Sequence, residues 1–340
     1  MKLLKTNLLY VSLLSLIIGG ASTLIIEHKV VKANPDADPS TDRDPRISGD
    51  NYTITGYNST YKFIRPILSV EPVNEFEKYS GLKKNIEDYI ANEKQKGLTS
   101  ASVYFREFTK GQWFGINLTE KYDPGSLLKV GVLITYLRMA ETDKELLKKE
   151  IEYHAEKGFQ LPEEHFQSES VSEGGKYTIN ELLRFMIAYS DNKATLFLED
   201  HMDTTVFKNE FSDMGMTPPR FSDPNYRLNA KEYSMLFKAL FNAGYLRKRA
   251  SETALSLLSE SVFKEGLLKG LPQNLTVAHK FGEFGNGNMS ELHECGIIYL
   301  GNTPYLLNVM TRGNDWNQLS DFIGHISKTV YDFNSSAQVN

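Results

Sequence analysis

The chain has 340 residues, 41% hydrophobic and 24% charged, with 19 Phe and 18 Tyr, which is enough apolar material for a packed core and excludes disorder as a global state. A formal net charge of −5, from 38 basic against 43 acidic side chains, leaves no electrostatic footprint for nucleic acid phosphates. A single cysteine, Cys295, excludes an intramolecular disulfide framework and cysteine-based zinc sites, and the apolar run that it opens, Cys295-Gly296-Ile297-Ile298-Tyr299, reads as a buried strand.

From Leu8 to Ile26 the chain carries no charge over nineteen residues, whose helical rise of roughly 28 Å nearly matches a bilayer's hydrocarbon core. This predicts a membrane-entry segment at 8–26, with 1–7 on the cytoplasmic side. A retained anchor and a cleaved signal peptide both fit, since Gly19-Gly20-Ala21 and Val31-Lys32-Ala33 resemble small-residue cleavage sites. Residues 27–60 shift to Asn, Asp, Pro, Ser and Gly, with prolines at 35, 39 and 45, and read as a flexible linker. Residues 61–335 read as one folding unit with no internal repeat.

Apolar residues at helical spacing (Leu82, Ile86, Tyr89, Ile90) predict a helix over 82–96, and 101–108 with 112–118 predict a hairpin around Thr109-Lys110-Gly111. The middle, about 126–258, reads as helical, with apolar faces in 127–139, 179–189 and 233–246. The cluster Arg247-Lys248-Arg249 reads as a solvated helix end. Strands return at 275–281, 295–300 and 305–311, the last two joined at Gly301-Asn302-Thr303-Pro304, and a closing helix runs from Trp316 to about Tyr331. This order predicts an α+β sandwich: an antiparallel sheet built by both ends of the domain, helices on its faces, and an inserted all-helical subdomain. A cleft between sheet and insertion is the natural place for a site.

Three short motifs fall at that cleft. In Pro124-Gly125-Ser126-Leu127-Leu128-Lys129, Pro-Gly breaks the chain and a long apolar helix follows. The i, i+3 spacing puts Lys129 on the same face as Ser126. A buried lysine with a second cation nearby has a depressed pKa, so its neutral amine could take the serine proton; a helix-capping serine fits the same pattern. Ser-x-x-Lys alone is unspecific, since Ser80-Gly81-Leu82-Lys83 and Ser261-Val262-Phe263-Lys264 repeat it. Ser190-Asp191-Asn192 ends the helix begun by the capping box Thr178-Ile179-Asn180-Glu181, where plain turn chemistry is the alternative. Last comes His279-Lys280-Phe281-Gly282-Glu283, a strand lysine followed by a glycine that permits close backbone approach.

Ser-x-x-Lys, Ser-Asp-Asn and Lys-x-Gly, in that order and on helix start, helix junction and strand, resemble the class A β-lactamases and penicillin-binding proteins, a superfamily of serine acyl-enzymes. The resemblance spans about 67–331. It implies Ser126 as the nucleophile toward a β-lactam carbonyl or a D-alanyl-D-alanine peptide and Lys129 as its base. It implies Ser190 as proton donor to the departing nitrogen, Asn192 as an orienting amide, and Lys280 as the positive charge for a substrate carboxylate. Backbone N–H groups of Ser126 and of Glu283, the latter just after Gly282, would form the oxyanion hole; Asp191 would brace the junction.

Two departures bear on turnover. Family members of class A carry a water-activating Glu in a Glu-x-x-Leu-Asn setting between the second and third motifs, whereas here Asn225 aligns with it when Leu228-Asn229 is matched. Asp223, the only carboxylate over 216–229, reads as a turn residue. Phe281 also replaces the hydroxyl residue of Lys-Thr-Gly. The expectation is an envelope serine hydrolase, acylated by β-lactams and releasing them slowly. A D-alanyl-D-alanine peptidase acting on peptidoglycan stem peptides and a non-turnover binding domain are the alternatives. Scattered histidines without paired ligand spacing give no metal site. No cofactor is expected, nor any nucleic acid partner; a monomer with an extracytoplasmic domain is.

Overall fold

Three short strands open the described part of the chain: β1 (Arg46–Ser48), β2 (Tyr52–Thr55) and β3 (Ser69–Pro72) pair antiparallel in that order. The structure, a computed structural model, describes residues 46–48, 51–56, 67–155, 164–166, 168–220, 223, 225–286 and 289–336. The expected span at 8–26 lies outside them; among the described residues no helix is long and apolar enough to cross a membrane. The linker expected over 27–60 therefore needs correction, because 46–48 and 52–55 are strands. Their composition hides this, since what anchors them lies elsewhere in the chain. Glu71 of β3 is buried against Arg106 (3.0 Å), Lys231 (2.9 Å) and Lys238 (3.2 Å). Burial pushes its carboxyl up, but the two lysines, Tyr104 and Arg106 overcome this and hold it well below the usual range.

The main sheet follows the sequence reading. Helix α1 (Ser80–Lys94) precedes the hairpin β4 (Leu98–Glu107) and β5 (Trp113–Ile116). A 3₁₀ turn (Gly125–Leu128) runs into α2 (Lys129–Ala140). Then come β6 (Glu150–Glu152), β7 (Lys176–Thr178), α3 (Ile179–Ala188), α4 (Asn192–His201), α5 (Thr204–Asp213), α6 (Ala230–Phe241) and α7 (Lys248–Ser259). The chain closes with β8 (Val277–Asn286), β9 (Met289–Ile298), β10 (Tyr305–Gly313) and α8 (Trp316–Ser336). The five long strands pair antiparallel in the order β5-β4-β10-β9-β8, so the two ends of the domain meet at β4 and β10.

Alternation along these strands makes two cores. Val103, Phe105, Leu307 and Val309 join Leu82, Ile86, Phe322 and Ile326 of α1 and α8. Tyr104, Leu306, Met310, Cys295 and Ile297 face the other way, toward α2, α3, α6 and α7. The insertion is helical except for the two-stranded ribbon β6–β7, a correction to the all-helical expectation. Its three-residue strands are too short to show a period. Helix α3 begins with the expected capping box: Glu181 N–H donates to Thr178 Oγ1 (3.2 Å) and Thr178 N–H to the Glu181 carboxylate (2.7 Å).

Candidate active site

The 3₁₀ turn that carries Ser126 lies against β8 with almost no space between the two backbones. A Cβ on Gly125, whose φ is +48°, would sit 2.3 Å from the Glu283 carbonyl oxygen, and one on Gly282 would sit 2.5 Å from the Pro124 carbonyl oxygen. Only glycine permits that approach, and at Gly125 its positive φ adds to the requirement. Gly282 and Glu283 are thereby brought against the segment that presents Ser126. The Ser126 hydroxyl, partly exposed, makes no hydrogen bond among the described residues.

One turn later, Lys129 points from the start of α2 to the junction between α3 and α4, and its Nζ is buried there. It donates to the Ser190 carbonyl, to Ser190 Oγ (3.2 Å) and to Asn192 Oδ1 (2.8 Å). Lys280 reaches the same hydroxyl from β8, donating to Ser190 Oγ (2.9 Å) and to its neighbour's carbonyl at Phe281 (2.9 Å). Two lysines and one serine hydroxyl, from three separate motifs, thus share one point. Ser190 holds it at φ +57°, a region that costs a non-glycine residue energy and is occupied only where surroundings fix it. Asp191 supplies part of that fixing. It caps α4 through Lys193 N–H (3.0 Å) and accepts from Ser170 Oγ (2.7 Å) and Val171 N–H (3.0 Å).

Burial sets the electrostatics. It pulls the Lys129 ammonium down to about 8, against the attraction of Glu164, Asp191, Glu199 and Glu283. Lys280 falls well below its ordinary value, first through burial and then through the charge of Lys129. Each lysine therefore favours a neutral neighbour, and an amine that is neutral near physiological pH can accept a proton.

The acids around the lysines contain two that sequence reasoning missed. Glu164 interacts electrostatically with Lys129 and Lys280, and burial raises its carboxyl. Glu199 of α4 is raised to about 7 by burial, with Lys129 pulling the other way. Glu199 had a signal, since it stands seven residues after Asn192 on one helix face; Glu164 had none. The Glu283 carboxylate accepts from His165 N–H (2.9 Å) and Phe166 N–H (3.2 Å), so that 164–166 is tied across to β8. Phe166 stands edge-on to Phe263 and Phe281, whose rings stack with centroids 3.9 Å apart. Phe281 is thus core, and no hydroxyl stands in its place. Asp223 serves its own turn, accepting from Asn225 N–H (2.9 Å), and Asn225 is exposed. Among the described residues no group of three or more His, Cys, Asp or Glu is placed to hold a metal ion.

The model of the β-lactamase enzyme family matches residues 81–334. No curated protein sequence matches the chain. Among solved structures, PBP-A superposes with a TM-score of 0.64 at 19% identity, over 76% of this chain and 97% of its own. A mutant of PBP-A, solved as an acyl-enzyme complex with penicillin G, gives 0.60 at 19% identity over the same shares, 76% and 97%. A β-lactamase from Chitinophaga pinensis gives 0.65 at 18% identity, over 75% of this chain and 100% of that one.

Proposed function

Because the chain belongs to the β-lactamase enzyme family, we propose that it is an envelope serine hydrolase which β-lactams acylate at Ser126 and which releases the acyl group slowly. The observation that carries this reading is the convergence on Ser190 Oγ of Lys280 and of Lys129, the latter one turn after Ser126 in the chain. Neutral Lys129 takes the Ser126 proton as Oγ bonds to the lactam carbonyl carbon. Lys280 donates to Ser190 Oγ, which leaves that hydroxyl's own hydrogen free for the departing nitrogen; as the C–N bond breaks, the Ser190 proton passes to nitrogen and Lys129 hands Ser190 the proton it took from Ser126, returning to the neutral amine. Backbone N–H groups of Ser126 and Glu283 hold the developing oxyanion. Asn192, bonded to Lys129, orients the amine.

Release is the slow step in this reading, because the only carboxylate of 216–229 is engaged in its own turn and a missing general base costs ~10²–10⁴ in rate. The same observation favours a second reading, a D-alanyl-D-alanine peptidase whose β-lactam adduct persists. Both acyl donors are met outside the cytoplasmic membrane, and the uncharged run 8–26 supports a membrane-attached, extracytoplasmic domain; cleavage of the domain from intact cells by added protease checks this. Intact-mass spectrometry with penicillin G tests the chemistry. A one-to-one adduct is expected in the wild type and none in Ser126→Ala. Decay of the adduct supports slow hydrolysis. A persistent adduct with release of D-alanine from a synthetic stem peptide supports the peptidase, and no wild-type adduct refutes acylation at Ser126.

A further inference from the structure

The segment that delivers Ser126 is held from behind by strand β9. Glu291 and His293, two residues apart and so on one face of the strand, both reach the backbone of the same residue, Asp123, three residues before the nucleophile. Asp123 N–H donates to Glu291 Oε2 (2.8 Å), and His293 Nε2 donates to the Asp123 carbonyl (2.9 Å). The direction of the second bond is fixed by the other ring nitrogen: Thr311 N–H donates to His293 Nδ1 (3.1 Å), which leaves the ring hydrogen on Nε2. Arg312, directly across the ladder, in turn grips Glu291 Oε1 (2.6 Å). The Asp123 carboxylate closes the arrangement forward, accepting from Gly125 N–H (3.0 Å) and pairing with Arg227 (3.0 Å). Both His293 and Glu291 are buried, where polar groups are kept only when bonded. Among the described residues no hydrogen bond or ion pair joins Glu291, His293 or Arg312 to Lys129, Ser190 or Lys280.

We infer that His293 and Glu291 are positioning residues: by clamping the backbone N–H and carbonyl of Asp123, which belong to the two peptide units on either side of it, they set where Ser126 stands relative to Lys129 and Lys280. Within the turn the Asp123 carboxylate fixes Gly125, and the clamp on the Asp123 backbone fixes the turn itself against β9. Displacing a reacting group by about 1 Å costs ~10² in rate, whereas a ring that only filled space would act on stability alone. The inference rests on the proposed acylation of Ser126.

The test separates the two ends of the ring. His293→Asn keeps an acceptor where Nδ1 meets Thr311 but cannot reach Asp123, while His293→Gln carries a donor out to the position of Nε2. With penicillin G and intact-mass detection, His293→Asn is expected to slow adduct formation ~10²-fold at an unchanged half-saturating concentration, and His293→Gln to recover at least a tenth of the wild-type rate. Amide exchange at 125–127, measured on the same samples without substrate, should rise in His293→Asn and stay near wild type in His293→Gln. Equal rates in all three proteins, or equal losses in both variants tracking a fall in melting temperature, would overturn the clamp. If His293→Asn does not fold, His293→Gln decides alone, and a folded protein slowed ~10²-fold overturns it. A wild type that forms no adduct defeats the acylation reading but not the clamp, which the exchange measurement still judges.

Discussion

The corner around Ser190 and the segment 214–229 put their charged groups to opposite uses. In the first, three motifs far apart in the chain direct two amines at one hydroxyl, and burial holds both amines toward neutrality. In the second, the groups are spent on holding backbone in place. Asp223 caps its own turn, Arg227 pairs with Asp123, and Tyr122 and Leu228 exchange backbone hydrogen bonds of 2.9 and 3.0 Å. The difference is one between preorganised proton transfer and scaffolding. On the proposed reading the Ser190 corner serves the attack by serine, while the only carboxylate among the described residues of 214–229 is engaged in its own turn.

The largest effect should come from removing the base. Lys129→Met is expected to slow adduct formation by ~10²–10⁴, read by intact mass. Its melting temperature should hold or rise, because a lysine whose folded pKa lies below its unfolded value costs the fold stability while it is charged, and methionine carries no such cost. The wild type should show the same dependence as a function of pH. On the proposed mechanism Lys129 acts as the neutral amine, and burial sets it at about 8, so adduct formation should climb with pH and level off above that value, with each unit below costing about tenfold. A rate independent of pH there would mean that the amine is not the base.

How much of this was legible depends on where each residue's partners lie. The two lysines, Ser126, Ser190 and Asn192 could be found because their motifs sit at chain breaks, a helix start, a helix junction and a strand, which are local signals. Strand β9 shows the limit. Its second half, Cys295 to Ile298, reads as strand by apolarity, but 289–294 contains Glu291, His293 and Glu294. Each is satisfied by a distant partner: Arg312 for Glu291, Asp123 for His293, and His279 (2.6 Å) for Glu294. A buried polar residue looks like a surface one until its partner is known. Strands β1 and β2 were concealed likewise, as the Glu71 cluster that secures their sheet draws on Arg106, Lys231 and Lys238. Glu164 was concealed because nothing near it in sequence marks its proximity to Lys129.

A smaller effect should follow from untying 164–166. The Glu283 carboxylate accepts two backbone N–H bonds from that segment, and a charged acceptor is worth ~1 kcal/mol more per bond than a neutral one. Glu283→Gln keeps one carbonyl acceptor and loses the charge, so amide exchange at 165–166 should rise about fivefold or more. Adduct formation with a penicillin of bulky side chain should quicken by at most that factor. An unchanged exchange rate would show that the aromatic contacts of Phe166, and not the carboxylate, hold the segment.

The smallest effect is expected at Glu199, and there the contrast between the two regions is most exposed. Its carboxyl, at about 7, is matched to general-base work at neutral pH, and it could in principle supply from α4 what 214–229 lacks. Lys129, however, is the charge that opposes this shift, and Glu199 in turn favours the Lys129 ammonium, so the role expected of it is tuning the amine. Glu199→Gln should then change adduct decay by no more than about twofold, against the ~10² that a positioned base contributes. Removing its negative charge should instead let Lys129 fall further, because that charge favours the ammonium, and so move the rise in adduct formation to lower pH. Decay that increases through about pH 7 in the wild type and loses that rise in Glu199→Gln would place a working base on the helical side of the cleft, and the two halves of the cycle would then be equally equipped.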